Sequence, residues 1–182
     1  MRPEERVRAA CAEYGADRVV RWCADLLAGR VTYDLPGLPP VTALGGPHAE
    51  NLLGRDGFAQ RGQDYWPRVW AARALLYVWN PVAVPAVLAG LEDPAWRVRE
   101  MAAKVVRRRE LGEAADTVAG VAGDGTARVR TAAVRALAVV GEAEHADAVR
   151  EAADGDPDPA VRRAATTALR ELARRLDRPL EP

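Results

Sequence analysis

A repeat of about 31 residues is the feature that most constrains the fold of this 182-residue chain. Four nine-residue segments align without gaps. Each has small or apolar residues at its first, fourth, fifth, eighth and ninth positions, apart from the proline that opens the first segment. That spacing forms one stripe of an α-helix. A period of this length predicts stacked units, because one unit is too thin to bury its own apolar face. The segments are 67–75, 98–106, 129–137 and 161–169.

A second, shorter helix is predicted between successive segments. Val87, Val118 and Val149 again stand 31 residues apart, and a small or apolar residue follows each of them four positions later. Asp-Pro, Asp-Gly or Asp-Pro-Asp-Pro precedes three of the four segments. Aspartate caps the free N–H groups of a helix start, and proline is tolerated in the first turn. Each repeat is therefore predicted to be a helix, a turn and a second helix, so that the chain is all-α.

The pattern Val-Arg-x-x-Ala-Ala-x-Ala-Leu after Asp-Pro or Asp-x resembles short HEAT-like repeats. The closest kind is the compact version found in phycobilisome lyase-type proteins and in bacterial scaffolds. The resemblance covers about residues 62–176 and implies an α-solenoid of about four helix-pair repeats. It also implies a ladder of aspartate and arginine side chains between repeats, in which Gly62 replaces the first aspartate. The ladder positions are Asp93, Arg99, Asp124, Arg130, Asp156 and Arg162.

The residues on either side of the repeat array of 64–178 have patterns of their own. Residues 1–28 are predicted to form an N-terminal helical cap, with one helix over 4–14 and a second over 17–27. The last residues, 179–182, are predicted to be a frayed tail.

Residues 29–63 read as a long loop, because they hold 11 of the 28 glycines and prolines of the chain. They are too apolar for a free linker, so we expect the loop to pack across the early repeats, with one short helix at 47–53. A loop of this length either covers apolar surface or grips a ligand or partner. The sequence leaves both readings open.

Tryptophan is concentrated near the first repeats. Trp70 falls on the apolar stripe and is predicted to be core. Trp66 and Trp96 stand at helix starts, and tryptophan is a favoured anchor in protein interfaces. Both are therefore candidate partner contacts, with Trp96 the better one.

Several chemistries are excluded by composition. The chain has no serine, so a serine nucleophile is impossible, and its one lysine, Lys104, is not in a phosphate-binding loop. Cys11, Cys23, His48 and His145 are too scattered for metal-ligand spacing. Each histidine is interpreted as a plain surface or loop residue. We expect no catalytic residue, no metal and no cofactor.

The net charge of zero hides an uneven distribution. In arrays of the resembled family the first helices form the outer layer and the second helices the inner, concave layer, which implies an acidic concave surface here. An acidic groove would repel phosphates, whereas nucleic acid stays an open alternative on the arginine-rich face. The first-helix segments 64–79, 94–109, 125–140 and 159–178 carry +13, and the second-helix segments 80–93, 110–124 and 141–158 carry −12.

The leading hypothesis is a non-catalytic protein-interaction module or adaptor, whose concave surface and 29–63 loop bind a basic segment of a partner. Glu113, Asp116 and Asp147 are its acidic candidates. The alternative is a HEAT-like enzyme of the DNA-glycosylase or lyase type with an aromatic-lined pocket. With no signal-peptide pattern and no long apolar stretch, a cytoplasmic protein without membrane contact is expected, and a monomer is favoured.

Overall fold

The computed structural model describes residues 1–33, 36–53 and 62–177. The parts of the long loop at 34–35 and 54–61 lie outside these ranges. So does the tail expected at 179–182. Every regular element within the described ranges is helical, in agreement with the all-α fold that the repeat pattern predicts.

The chain divides into two compact units, Met1–Gly90 and Leu91–Pro182. Helix α2 is the centre of the first unit. It packs against α1, α5 and α6, and its apolar face is buried, from Val19 to Leu27. The described helices of this unit are α1 (Pro3–Tyr14), α2 (Ala16–Leu27), α3 (Thr42–Gly45), α4 (Pro47–Leu53), α5 (Trp66–Ala74) and α6 (Val84–Gly90).

Helices α3 and α4 are formed by the long glycine- and proline-rich segment. The short helix expected at 47–53 is present as α4, and α3 packs against both α1 and α5. The buried Leu44 is fixed through its carbonyl oxygen, which accepts hydrogen bonds from Arg6 Nη2 at 3.4 Å and Arg73 Nη2 at 3.0 Å. The described part of this segment therefore covers the first unit at α1 and α5.

The contact between α3 and α5 depends on a glycine. A Cβ atom at Gly45 would lie 2.4 Å from Ala49 Cβ and 2.9 Å from the ring of Trp70. Trp70 is 1 % exposed, so the indole is core, as the apolar stripe predicts. Only a residue without a side chain lets α3 approach the indole this closely.

The second unit is the regular part of the array. Val98, Val129 and Val161 open the apolar stripes of three successive first helices, and all three are fully buried. Val118 and Val149 of the second helices are buried to the same extent. The first helices are α7 (Trp96–Arg109), α9 (Ala127–Val140) and α11 (Pro159–Arg175), and the second helices are α8 (Ala115–Val121) and α10 (Ala146–Gly155).

The two helix layers of this unit are not equally close. Helix α9 packs along its length against α7 on one side and α11 on the other, whereas α8 and α10 touch only slightly. Buried alanines such as Ala133 and Ala165 allow the close approach of the first helices. A Cβ atom added at Gly120 or Gly155 in the second helices would meet nothing within 4 Å.

The two layers also differ in charge. Within residues 91–177 the arginine-rich first helices form the more closely packed layer, and the acidic second helices form the more loosely packed one.

Gly45→Ala is predicted to destabilise the first unit by about 1–3 kcal/mol, because the new methyl group would overlap Ala49 and Trp70. The alanine's better helix propensity, about 1 kcal/mol, offsets part of that cost. Urea unfolding followed by tryptophan fluorescence and circular dichroism measures the change. Gly112→Ala is the matched control, since a Cβ there meets nothing within 4 Å. Equal stabilities of the two variants would contradict the close approach.

Candidate functional site

An aspartate–arginine ladder joins successive repeats of the second unit. Arg99 on α7 donates from Nε to Asp124 Oδ2 at 2.6 Å, and from Nη1 to the carbonyl oxygens of Asp93 at 2.8 Å and Pro94 at 3.0 Å. The other carboxylate oxygen of Asp124 accepts the N–H of Thr126 at 2.7 Å. One arginine therefore binds the turn before its own helix and the aspartate before the next helix.

The same contacts recur one repeat later. Arg130 on α9 donates to both carboxylate oxygens of Asp156, at 2.6 and 2.9 Å, and to the carbonyl oxygen of Asp124 at 2.8 Å. Asp156 Oδ1 also accepts the N–H of Asp158 at 2.8 Å. Arg162 on α11 donates to the carbonyl oxygen of Asp156. The ladder thus fixes how each first helix starts relative to the one before it.

The ladder carboxylates are buried and charged. The side chains of Asp156 and Arg130 are 4 % and 13 % exposed. The hydrogen bond from Arg130 lowers the pKa of Asp156 against the opposing effect of burial. Burial raises the pKa of Asp124, but the hydrogen bonds from Arg99 and the Thr126 amide outweigh it, so the pKa lies below its usual value.

Three arginines cross the exposed face of the first helices. Arg107 on α7, Arg135 on α9 and Arg163 on α11 are exposed, and all three line one cavity of about 330 Å³. Arg107 and Arg135 also line a second cavity of about 540 Å³ that reaches Lys104 and Arg128. The two cavities share these arginines and so form one continuous depression, which we call the arginine groove.

One end of the arginine groove contains a paired cluster. Glu100 is 7 % exposed and accepts hydrogen bonds from Lys104 Nζ at 2.7 Å and Arg128 Nη2 at 3.2 Å. The guanidinium carbon of Arg97 lies 4.2 Å from the ring centroid of Trp96, and that of Arg128 lies 5.5 Å from it. Trp96, a candidate contact from the sequence, is half-buried and lies close to these two cations, of which Arg128 lines the groove.

The groove arginines differ from this cluster in having no partner. Within residues 1–33, 36–53 and 62–177, the side chains of Arg107, Arg135 and Arg163 make no ion pair and no hydrogen bond. The repeat alignment does not group these three arginines, because they do not occupy equivalent positions in successive repeats. Their spacing of 28 residues, three less than the repeat, is the signal that would have found them.

The acidic candidates lie on the second-helix side. Glu113, Asp116 and Asp147 are exposed and stand before or within the first turns of α8 and α10. Asp116 Oδ1 lies 3.0 Å from Nε2 of His145, and Asp147 pairs with Arg150. This side is acidic and exposed.

His145 corrects the interpretation of the histidines as plain surface or loop residues. It is 6 % exposed, and its Nδ1 accepts the N–H of Glu142 at 2.8 Å. With Nδ1 as acceptor, Nε2–H donates to Asp116 of the preceding repeat. The side chain is a buried structural link, which the sequence does not reveal because its partner is 29 residues away.

Trp66 belongs to an aromatic cluster of the first unit. Its ring centroid lies 4.8 Å from that of His48, 6.0 Å from Trp70 and 5.4 Å from Tyr65. Trp66 is half-buried and His48 is exposed. The rings of this cluster pack edge to face or stacked around the core indole of Trp70.

A family model for HEAT repeats matches residues 58–138 and again 117–180, together more than half of the chain. The chain belongs to the HEAT-repeat family. No curated protein matches its sequence. Across the described part of this HEAT-repeat chain, no helix is both long and apolar enough to cross a membrane.

Arg130→Met is predicted to destabilise the second unit by about 3–5 kcal/mol, because it leaves the Asp156 carboxylate buried without its cation. The free energy of unfolding in urea, followed by circular dichroism, measures the loss. The matched control is Arg170→Met at an exposed position of α11, expected within about 0.5 kcal/mol of the parent. A loss no larger than that of the control would remove the ladder as a source of stability.

Acid is predicted to weaken the same contacts. The pKa values of Asp124 and Asp156 are lower in the folded chain than the ordinary value of 3.8. Their contribution to stability is therefore fully present above about pH 4 and is lost as the pH falls through the lowered values. Urea unfolding between pH 6 and pH 2.5 measures this slope. It becomes shallower in Arg130→Met, and an unchanged slope would contradict the assignment.

Proposed function

We propose that this chain is a non-catalytic protein-interaction module whose repeat array in residues 91–177 holds a segment of a partner protein. HEAT repeats are commonly protein-interaction scaffolds. The observation that carries the proposal is the arginine groove. Three exposed cations on three successive first helices line one continuous depression, and the aspartate–arginine ladder joins the starts of those helices.

Rigidity supports this role. Binding costs less when the contact groups are already ordered, because fewer rotamers and loops must be fixed on association. The groove arginines stand on helices whose starts are fixed by hydrogen bonds. Arg99 and Arg130 donate these bonds to the carbonyl oxygens of the turns that precede their helices. A surface of this kind is suited to a partner segment that is itself flexible.

The acidic second-helix side is the other surface available to a partner. Glu113, Asp116 and Asp147 are exposed there and fit a basic segment, as the charge of the second helices suggests. The close packing of the first helices favours the arginine groove over this side, because the groove lies on the layer whose helices hold one another in place. The described part of the segment 29–63 covers the first unit through the Leu44 contacts, which leaves the repeat array as the binding surface in this proposal.

In the proposed role the chain works as a monomer in the cytoplasm. The cytoplasmic location is supported by the two cysteines, which are free thiols, as a reducing compartment keeps them. Cys23 is fully buried, and burial raises the pKa of its thiol, so it is unreactive.

The test is retention of a partner on the full-length chain as bait in extracts of its own cells. Wild type is compared with Arg107→Gln/Arg135→Gln/Arg163→Gln and with Glu113→Lys/Asp116→Lys/Asp147→Lys. We expect one protein to be retained by wild type and by the lysine variant, and to be lost from the glutamine variant.

Each other outcome has a definite meaning. Loss only from the lysine variant would place the partner on the acidic side. The absence of any protein whose retention depends on either charge set would contradict the interaction role. Circular dichroism spectra of all three baits, which must coincide, show that the fold is retained.

A further inference from the structure

We infer that the arginine groove recognises an acidic segment in the polyproline II conformation, with a carboxylate at every third residue. This inference rests on the proposed function and names the chemistry of the partner. It is drawn from the charge, the spacing and the shape of the groove.

The charge is uncompensated. Lys104 and Arg128 share the carboxylate of Glu100, so their charge is largely satisfied within the chain. Arg107, Arg135 and Arg163 have no partner anywhere in the described ranges, and their guanidinium groups each offer five N–H donors. Guanidinium and carboxylate match in planar, bidentate geometry, so the preferred ligand group at each site is a carboxylate.

The spacing of the three arginines sets the spacing of the ligand groups. Neighbouring packed helices lie about 8–10 Å apart. Each arginine stands three or four positions nearer the helix start than the equivalent position in the repeat before, a shift of about 5 Å along the axis. Successive arginine positions are therefore separated by about 10 Å on an oblique line.

One peptide conformation matches that distance with side chains on one face. A polyproline II helix has three residues per turn and a rise of about 3.1 Å, so every third residue recurs on the same side at about 9 Å. In a β-strand residues on one face recur at about 6.6 or 13 Å, which misses the spacing. Arginine side chains are long enough to absorb the remaining difference.

The floor of the groove is open enough for a main chain to lie in it. Ala132, Ala160 and Ala164 line it, with Thr131 and Thr167 beside them. Small side chains at these positions leave the combined cavities free of bulky groups. The threonine hydroxyls donate to the carbonyl oxygens of their own helices, Thr131 Oγ1 at 2.9 Å and Thr167 Oγ1 at 3.0 Å. They present mainly apolar methyl surface to the ligand.

The number of available cations favours a short peptide over nucleic acid. Strong binding to nucleic acid draws on many phosphate contacts, on the order of 6–10, whereas three unpaired cations are available here. Glu100 and Glu171 also line the groove and would repel any anion, so a ligand with a few separated carboxylates is favoured over a continuous polyanion. The second-helix segments carry −12 and would repel any strand that extended past the groove.

The test is fluorescence anisotropy with a labelled, capped peptide of three Glu-Pro-Pro units and the full-length protein. We expect saturable binding at low salt that weakens as salt is added. The same peptide with glutamine for glutamate should bind at least tenfold more weakly. A peptide of the same composition with its three glutamates adjacent should also bind at least tenfold more weakly. Adjacent glutamates are too close together to reach all three arginines at the same time.

The variants locate the site. Arg107→Gln/Arg135→Gln/Arg163→Gln should weaken binding at least tenfold. Arg108→Gln/Arg170→Gln/Arg174→Gln removes the same charge from exposed positions outside the groove lining and should change it less than twofold. Equal losses in the two triple variants, or equal binding of the adjacent-glutamate peptide, would overturn the inference.

Two outcomes separate this inference from the function on which it rests. A 20-residue oligothymidine that binds more tightly than the peptide, and loses that binding in the groove variant, would identify a nucleic acid site and overturn the inference. If the natural partner is lost from the groove variant but the peptide does not bind wild type, the inference fails while the interaction role stands.

Discussion

The contact between an arginine on one first helix and the aspartate that opens the next is the interaction on which the repeat array depends. Arg99 and Arg130 each satisfy backbone carbonyl groups of their own turn and a buried carboxylate of the following turn. The aspartate in turn accepts an N–H at the start of its helix. The valine and alanine stripes supply the apolar burial, but they are non-directional. The ladder adds the direction, because bidentate hydrogen bonds tolerate little rotation of one helix against the next.

The charge of the chain is a consequence of the same repeat. Each unit places arginine on its first helix and carboxylates in the turn and second helix. A protein with no net charge therefore has two surfaces of opposite sign. Since the first helices are the more closely packed layer, the basic surface is the one with grooves between neighbouring helices. Long-range steering by such a chain is weak, so selection of a partner depends on local matching of charged groups.

Much of the fold follows from the periodicity of the sequence, but contacts between side chains that are far apart in the sequence do not. Val98 and Val129 could be assigned to the core because a helix repeats every 3.6 residues, and Trp70 because it falls on the same stripe. How closely the helices of each layer pack could not be predicted in this way, since it depends on the side chains that two helices bring together. The burial of His145 depends on Asp116, 29 residues earlier, and no local pattern announces that contact. The groove arginines could not be predicted from the repeat, because their spacing follows an oblique line across neighbouring helices and not the period of the chain.

The oblique line through the three groove arginines runs towards the helix starts and therefore has a limited length. Arg107 lies near the last turn of α7, Arg135 beyond the middle of α9, and Arg163 in the second turn of α11. A fourth member, displaced by the same amount, would fall at the first or second residue of the next helix, and a fifth would fall before the helix after that one begins. The line can therefore cross at most four successive first helices. Further repeats would lengthen the array without adding contact points along this line.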